Sequence, residues 1–118
     1  MVVPRIRLTE EVESAVQLTK YPPLGCRGIS ITRAHSDYAV GDWGEYMEMR
    51  NKRFLLFVQI ETLSALDQLG SIAGVRGLDG MILGPGDLSV ELGIPGEVRH
   101  AEAYRPREAW TNLREYAD

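Results

Sequence analysis

The sequence predicts an α/β fold built on a parallel sheet. Two continuous apolar runs of strand length, residues 54–60 and 81–83, are separated by a helical pattern, and a strand-like segment covers residues 1–6. Uninterrupted apolar strands are typical of parallel sheets, which are covered on both faces. The order strand, helix, strand is the repeating unit of such folds.

Helices are predicted from apolar spacing and from residues that end helices. Thr9 can cap a first helix whose apolar positions recur at helical spacing until the proline pair of residues 22–23 ends it. A second helix is predicted over residues 44–51 and a third over residues 62–72. A last helix is predicted over residues 106–116, after a charged and uneven stretch.

Composition limits the class of protein. The 118 residues are 44% hydrophobic and 25% charged, which indicates one globular domain, and an eight-unit barrel needs about 250 residues. The net charge of −4 argues against nucleic acid or an anionic membrane as partner. With no apolar run near the ~20 residues that span a bilayer and no signal peptide, the expected location is the cytoplasm.

The single cysteine, Cys26, excludes a disulfide within the chain and a cysteine-rich zinc site. No histidine stands near it in a nucleophile context, so we expect Cys26 to be a small packed residue and not a catalytic thiol.

Two acidic residues, Glu61 and Asp87, follow the two apolar strands. Parallel strands joined by a right-handed crossover end at the same edge of a sheet, about 4.8 Å apart, so both carboxylates can reach one ion. Carboxylates without nearby cysteine or histidine favour magnesium or manganese. A structural role is the alternative, with Glu61 capping the next helix and Asp87 capping a turn through Leu88 and Ser89.

The glycine-bearing segment before Asp87 is predicted to be a short loop. Its backbone N–H groups can bind a carboxylate or phosphate, although a tight turn that uses glycine only for its conformational freedom explains it equally well. Gln59 lies two residues before Glu61, hence on the same strand face. It either faces the site or satisfies a neighbour in the core, because an unpaired buried amide costs ~1–3 kcal/mol.

Three motifs, in matching order and spacing, carry a resemblance to a known family. Residues 21–28 (YPPLGCRG), 58–62 (VQIET) and 78–89 (LDGMILGPGDLS) resemble the HpcH/HpaI aldolases, which include 2-keto-3-deoxy sugar acid and hydroxy-oxo-heptanedioate aldolases. The resemblance implies a partial TIM-like (β/α) barrel with about three of the eight units of parallel strand and helix. It assigns residues 1–96 to the central portion of that barrel and leaves residues 97–118 as a divergent C-terminal tail with a helix.

The resemblance also implies roles for individual residues. Glu61 and Asp87 match the ligands of a divalent Mg²⁺, Mn²⁺ or Co²⁺ ion that holds pyruvate. Gln59 matches a pyruvate-contacting glutamine, and the backbone amides of Gly86 and Asp87 match those that hold the pyruvate carboxylate. No catalytic residue is assigned, because the family's histidine base and its arginine come from barrel strands that precede this segment.

The two histidines of the chain, His35 and His100, do not match the family's histidine and are expected at the surface.

The implied function is that of a metal-dependent lyase. It would cleave a 2-keto-3-deoxy or 4-hydroxy-2-oxo acid reversibly to pyruvate and an aldehyde. We expect the isolated chain to be incomplete, since three strands leave two open sheet edges, and to need a homo-oligomer or a complementing chain. The alternatives are a catalytically silent remnant that binds metal and an oxo-acid, and a small phosphate-binding α/β domain.

Overall fold

A three-stranded parallel sheet organises the described part of the chain. The structure, a computed structural model, describes residues 1–30 and 41–99. Strands β1 (Val2–Val3), β2 (Phe57–Ile60) and β3 (Gly80–Leu83) lie in the order β1-β2-β3, and both pairs are parallel. The predicted α/β fold with a parallel sheet is confirmed.

Five helices connect or follow these strands within the described ranges: α1 (Thr9–Thr19), α2 (Trp43–Arg53), α3 (Leu63–Asp67), α4 (Leu69–Ala73) and α5 (Pro85–Glu91). None of them has the length and apolar character needed to span a lipid bilayer. The helix predicted over residues 106–116 lies outside the described residues, as do His35 and His100.

The single helix predicted over residues 62–72 is wrong, because the chain leaves helical geometry at Gln68. This residue has φ −105° and ψ 13° and separates α3 from α4. Its side-chain oxygen accepts hydrogen bonds from the backbone N–H and the hydroxyl of Thr9, at 2.9 and 2.8 Å. The break therefore ties the α3–α4 pair to the start of α1.

Thr9 is not the N-cap of α1, contrary to the prediction. The helix begins at Thr9, with Leu8 as the preceding cap residue. The Glu11 carboxylate accepts hydrogen bonds from the backbone N–H groups of Arg7 and Leu8, at 2.6 and 3.1 Å. These two backbone hydrogen bonds lower the pKa of Glu11 below its ordinary value of 4.5, because they stabilise the ionised form.

Glu11→Gln should destabilise the protein at neutral pH by about 0.5 kcal/mol, since the lost contacts are solvent-exposed. A carboxylate whose pKa is lowered by folding stabilises the fold above its unfolded pKa and loses that contribution as pH falls through the folded pKa. The difference between variant and parent should therefore shrink below pH 4.5. Urea unfolding at several pH values measures it. Glu13→Gln, a change at another exposed position of α1, should cost less at pH 7.

The hydrophobic core lies between one face of the sheet and the helices α1, α3 and α4. Val58 and Ile60 of the central strand are fully buried there. The other buried members are Ile6, Val12, Ala65, Leu69 and Ile72. Because side chains alternate along a strand, the remaining β2 positions are directed to the opposite face.

A buried lysine joins the elements at the N-terminal end of the strands. Lys20 is 1% exposed, and its ammonium donates to the backbone oxygens of Asn51 and Phe54 at 3.2 and 2.6 Å. The ammonium also pairs with Oδ2 of Asp79 at 2.8 Å. The same Oδ2 accepts a hydrogen bond from the backbone N–H of Leu56 at 2.7 Å. Each donor of the ammonium thus has an acceptor, as a buried charge requires.

Lys20→Met should destabilise the protein by about 3 kcal/mol. The substitution removes one partner of a largely buried ion pair and leaves two backbone carbonyl groups without a hydrogen-bond donor. Lys52→Met is the matched control, since Lys52 is 73% exposed and pairs with Glu48 at the helix surface. We expect almost no change of the urea midpoint in the control. Equal losses in the two variants would contradict the structural role of Lys20.

Cys26 is exposed, so the expectation of a packed residue is wrong. Its backbone N–H donates to the carbonyl oxygen of Gln17, in the last turn of α1, at 2.8 Å. This hydrogen bond holds the backbone in place and leaves the side chain at the surface.

Candidate metal centre

Glu61 follows the last residue of β2 and is buried, with 3% exposure. Its Oε1 accepts the backbone N–H of Arg5 at 2.7 Å. The cap of α3 is Thr62, whose hydroxyl accepts from the Ala65 N–H at 3.2 Å and donates to the Ile6 carbonyl at 2.8 Å. The alternative in which Glu61 caps the next helix is therefore wrong, and its carboxylate is available for another role.

Asp87 lies in the first turn of α5, so the predicted three-residue loop is wrong. The helix begins at Pro85, directly after the cap residue Gly84, because the fixed φ of proline suits the first helical position. The Asp87 side chain is 53% exposed, and its Oδ1 accepts from the guanidinium of Arg5 at 3.2 Å. The exposed Gly86 occupies the position before it.

Gln59 and Glu61 lie on the same side of the sheet and meet at Gly84. A Cβ atom added to Gly84 would lie 2.6 Å from Cβ and 2.7 Å from Oε2 of Glu61, and 3.3 Å from Nε2 of Gln59. The parallel pairing that sets Ile60 opposite Leu83 produces this approach. The Gln59 amide therefore lies close to Gly84 on the face that carries Glu61, and its role in a site stays a prediction.

Arg5 is a member of the site that the sequence analysis missed. Its backbone lies in the left-handed region with φ 54°, which is unusual for a residue other than glycine. In this conformation its N–H contacts Glu61 while its guanidinium contacts Asp87 and, at 3.9 Å, the Oε1 of Glu91. The sequence analysis placed Arg5 inside a strand over residues 1–6, whereas β1 ends at Val3 and Arg5 lies beyond it at the same edge of the sheet.

The donor atoms at this edge suit a hard divalent cation. Glu61 has Oε2 beside Gly84 in addition to the oxygen bound to Arg5, and Asp87 is accessible to solvent. Within residues 1–30 and 41–99, no three His, Cys, Asp or Glu side chains converge on one point. Two carboxylates nevertheless fit Mg²⁺, which usually binds one or two of them and takes its other ligands from water or substrate.

Two surface cavities, of about 430 and 640 Å³, lie elsewhere on the molecule. Both are lined by Pro23, Leu24 and Arg76, near the end of α1, and neither is lined by Glu61 or Asp87. Neither of these two cavities therefore coincides with the predicted site.

The model of the HpcH/HpaI aldolase/citrate lyase family matches residues 1–117. The chain belongs to this family. The match extends past residue 97, beyond which the sequence analysis found no motif resembling the family. The division of the chain into residues 1–96 and 97–118 stays a prediction.

Relatives and solved structures agree with this assignment. The chain is 38% identical over 112 residues to 2-keto-3-deoxy-L-rhamnonate aldolase of Salmonella schwarzengrund (strain CVM19633), covering 92% of this chain and 40% of that protein. It superposes on an HpcH/HpaI aldolase from Desulfitobacterium hafniense DCB-2 with TM-score 0.83 and 35% identity, over 99% of this chain and 44% of that one. A citrate synthase, SbnG, gives TM-score 0.79 at 29% identity, over 98% and 41%.

These likenesses confirm the predicted partial (β/α) barrel. The chain spans about two fifths of the length of the curated relatives it matches. The assignment of Gln59, Glu61, Gly86 and Asp87 to metal and substrate stays a prediction.

Gly84→Ala should displace the Glu61 carboxylate, because the added methyl group would overlap its Cβ and Oε2. The expected cost is about 1–3 kcal/mol of stability, typical of overpacking, together with at least tenfold weaker Mn²⁺ binding. Urea unfolding and a Mn²⁺ titration followed by electron paramagnetic resonance measure the two effects. Gly70→Ala is the control, since the added methyl group there meets no atom within 4 Å and lies in a helix, where alanine is favoured.

Proposed function

We propose that this chain carries the metal- and pyruvate-binding part of a class II aldolase. The reaction is the reversible cleavage of a 2-keto-3-deoxy or 4-hydroxy-2-oxo acid to pyruvate and an aldehyde. The observation that carries the proposal is the position of Glu61 and Asp87, which contact the same residue, Arg5, at the edge where β2 and β3 end. In (β/α) barrels that edge bears the active site.

Glu61 and Asp87 are the proposed ligands of a divalent Mg²⁺, Mn²⁺ or Co²⁺ ion. The Arg5 N–H fixes one oxygen of Glu61 at 2.7 Å, which orients the carboxylate while Oε2 faces the site. Burial keeps this carboxylate from turning toward water. When bound, the ion would polarise the C2 ketone oxygen of the 2-oxo acid as a Lewis acid and stabilise the negative charge that this oxygen gains when the C3–C4 bond breaks to release the aldehyde.

The pyruvate half of the substrate is proposed to lie over Gln59 and the start of α5. The Gln59 amide, 3.3 Å from the point where a Gly84 side chain would begin, can donate to an oxygen of the substrate. The first N–H groups of a helix have no intrahelical acceptor, so those of Gly86 and Asp87 can bind the pyruvate carboxylate. Holding both ends of the keto acid fixes its orientation at the ion.

The complete active site is proposed to form in a larger assembly. Homo-oligomers or a complementing chain would supply the groups that move protons and that select the aldehyde. A cytoplasmic location fits such an enzyme and belongs to the same proposal. The chain's own contribution is the rigid edge that binds the ion and pyruvate.

Glu61→Gln and Asp87→Asn should each weaken Mn²⁺ binding at least ~100-fold, because an amide replaces a charged ligand without changing its shape. Asp67→Asn, a change at the exposed end of α3, is the matched control and should bind Mn²⁺ as the parent does. Calorimetric titration with Mn²⁺, in the presence and absence of pyruvate, measures these affinities. Parent protein that binds no divalent ion would refute the proposal.

An assay of pyruvate release from a 2-keto-3-deoxy acid then separates the alternatives. Turnover that depends on Mn²⁺ supports the aldolase. Metal and pyruvate binding without turnover, in every assembly formed by the protein, favours the catalytically silent remnant. Phosphate binding that is indifferent to metal favours the small phosphate-binding domain.

A further inference from the structure

Arg5 connects three carboxylates at the predicted metal site. Its N–H binds Glu61 at 2.7 Å, and its guanidinium lies 3.2 Å from Oδ1 of Asp87 and 3.9 Å from Oε1 of Glu91. The guanidinium is the charged group that pairs with Asp87 in the described part of the chain. It therefore binds the Asp87 carboxylate, which the proposed function assigns to the ion.

We infer that the Arg5 guanidinium is a stand-in cation, which pairs with Asp87 in the metal-free protein and is displaced when a divalent ion binds. The inference rests on the proposed function. It makes Arg5 a positioning residue that controls how tightly the ion is held. A dication and a guanidinium repel each other and compete for the same carboxylate, so binding of one weakens binding of the other.

The charges of α5 explain why a stand-in is needed. Asp87 and Glu91 are four residues apart on this helix, the spacing at which like charges face each other and destabilise it. The Arg5 guanidinium lies within reach of both and reduces this repulsion. A divalent ion at Asp87 would reduce it equally well.

The geometry also allows the guanidinium to leave without disturbing Glu61. The contact to Glu61 comes from the backbone N–H, which stays in place when the side chain turns. The Arg5 side chain is 53% exposed, so few packing contacts hold it. Glu91, whose other oxygen accepts the Leu63 N–H at 2.9 Å at the start of α3, is a fixed acceptor to which the displaced guanidinium can shift.

The test compares the Mn²⁺ affinity and the thermal stability of Arg5→Gln with those of the parent. Glutamine keeps the backbone N–H. Like arginine it is unbranched at Cβ, so it adopts the left-handed conformation at the same energetic cost, and the substitution removes only the charge. We expect Mn²⁺ to bind roughly two- to fivefold more tightly to Arg5→Gln, as loss of one exposed competing charge predicts. Without metal, its melting temperature should be lower than that of the parent, and saturating Mn²⁺ should remove most of the difference.

Two control variants define what counts against the inference. Arg7→Gln removes the same charge two residues away and should leave Mn²⁺ affinity unchanged, and Arg5→Lys, which keeps the charge, should bind close to the parent. Unchanged or weaker Mn²⁺ binding in Arg5→Gln, or the same gain in Arg7→Gln, overturns the inference while the proposed metal site stands. Absence of Mn²⁺ binding in the parent overturns both.

Discussion

The parallel pairing of β2 with β3 is the constraint on which the site depends. Because Ile60 lies opposite Leu83, the residue after each strand emerges at the same edge, and Glu61 meets Gly84 at van der Waals distance. That approach is possible only because Gly84 has no side chain. A shift of one residue in the register would turn Glu61 to the other face of the sheet and bury its charge against the core.

The two ends of the sheet differ in how their charged side chains are held. At the N-terminal end, Lys20 and Asp79 form a satisfied network that joins α1, α2 and the strands. At the C-terminal end, Glu61 and Asp87 are held by a single arginine, with one carboxylate buried and the other exposed. This difference agrees with the proposed site, because (β/α) barrels bind their ligands at the C-terminal end of the strands and the opposite end serves stability.

Periodicity and apolar runs predicted the parallel strands, and the strand-end rule predicted where Glu61 and Asp87 would lie. The errors have physical reasons. Gln68 breaks the α3–α4 segment because its side chain binds Thr9, a contact between residues far apart in the sequence that no local pattern reveals. Arg5 was missed because its role depends on a left-handed backbone conformation that a residue other than glycine rarely adopts.

The balance of charge at this edge argues for a cation there. Arg5 contacts three carboxylates at this edge, that of Glu61 through its backbone N–H and those of Asp87 and Glu91 through its guanidinium, so one positively charged side chain faces three acidic ones. An anionic keto acid could not approach these groups without further positive charge, since like charges repel strongly where water is partly excluded. The proposed divalent ion would remove this obstacle and supply the coordination positions that the substrate would use. The acidic character of the edge disfavours direct binding of an anion and therefore supports the proposal that the substrate binds through a metal.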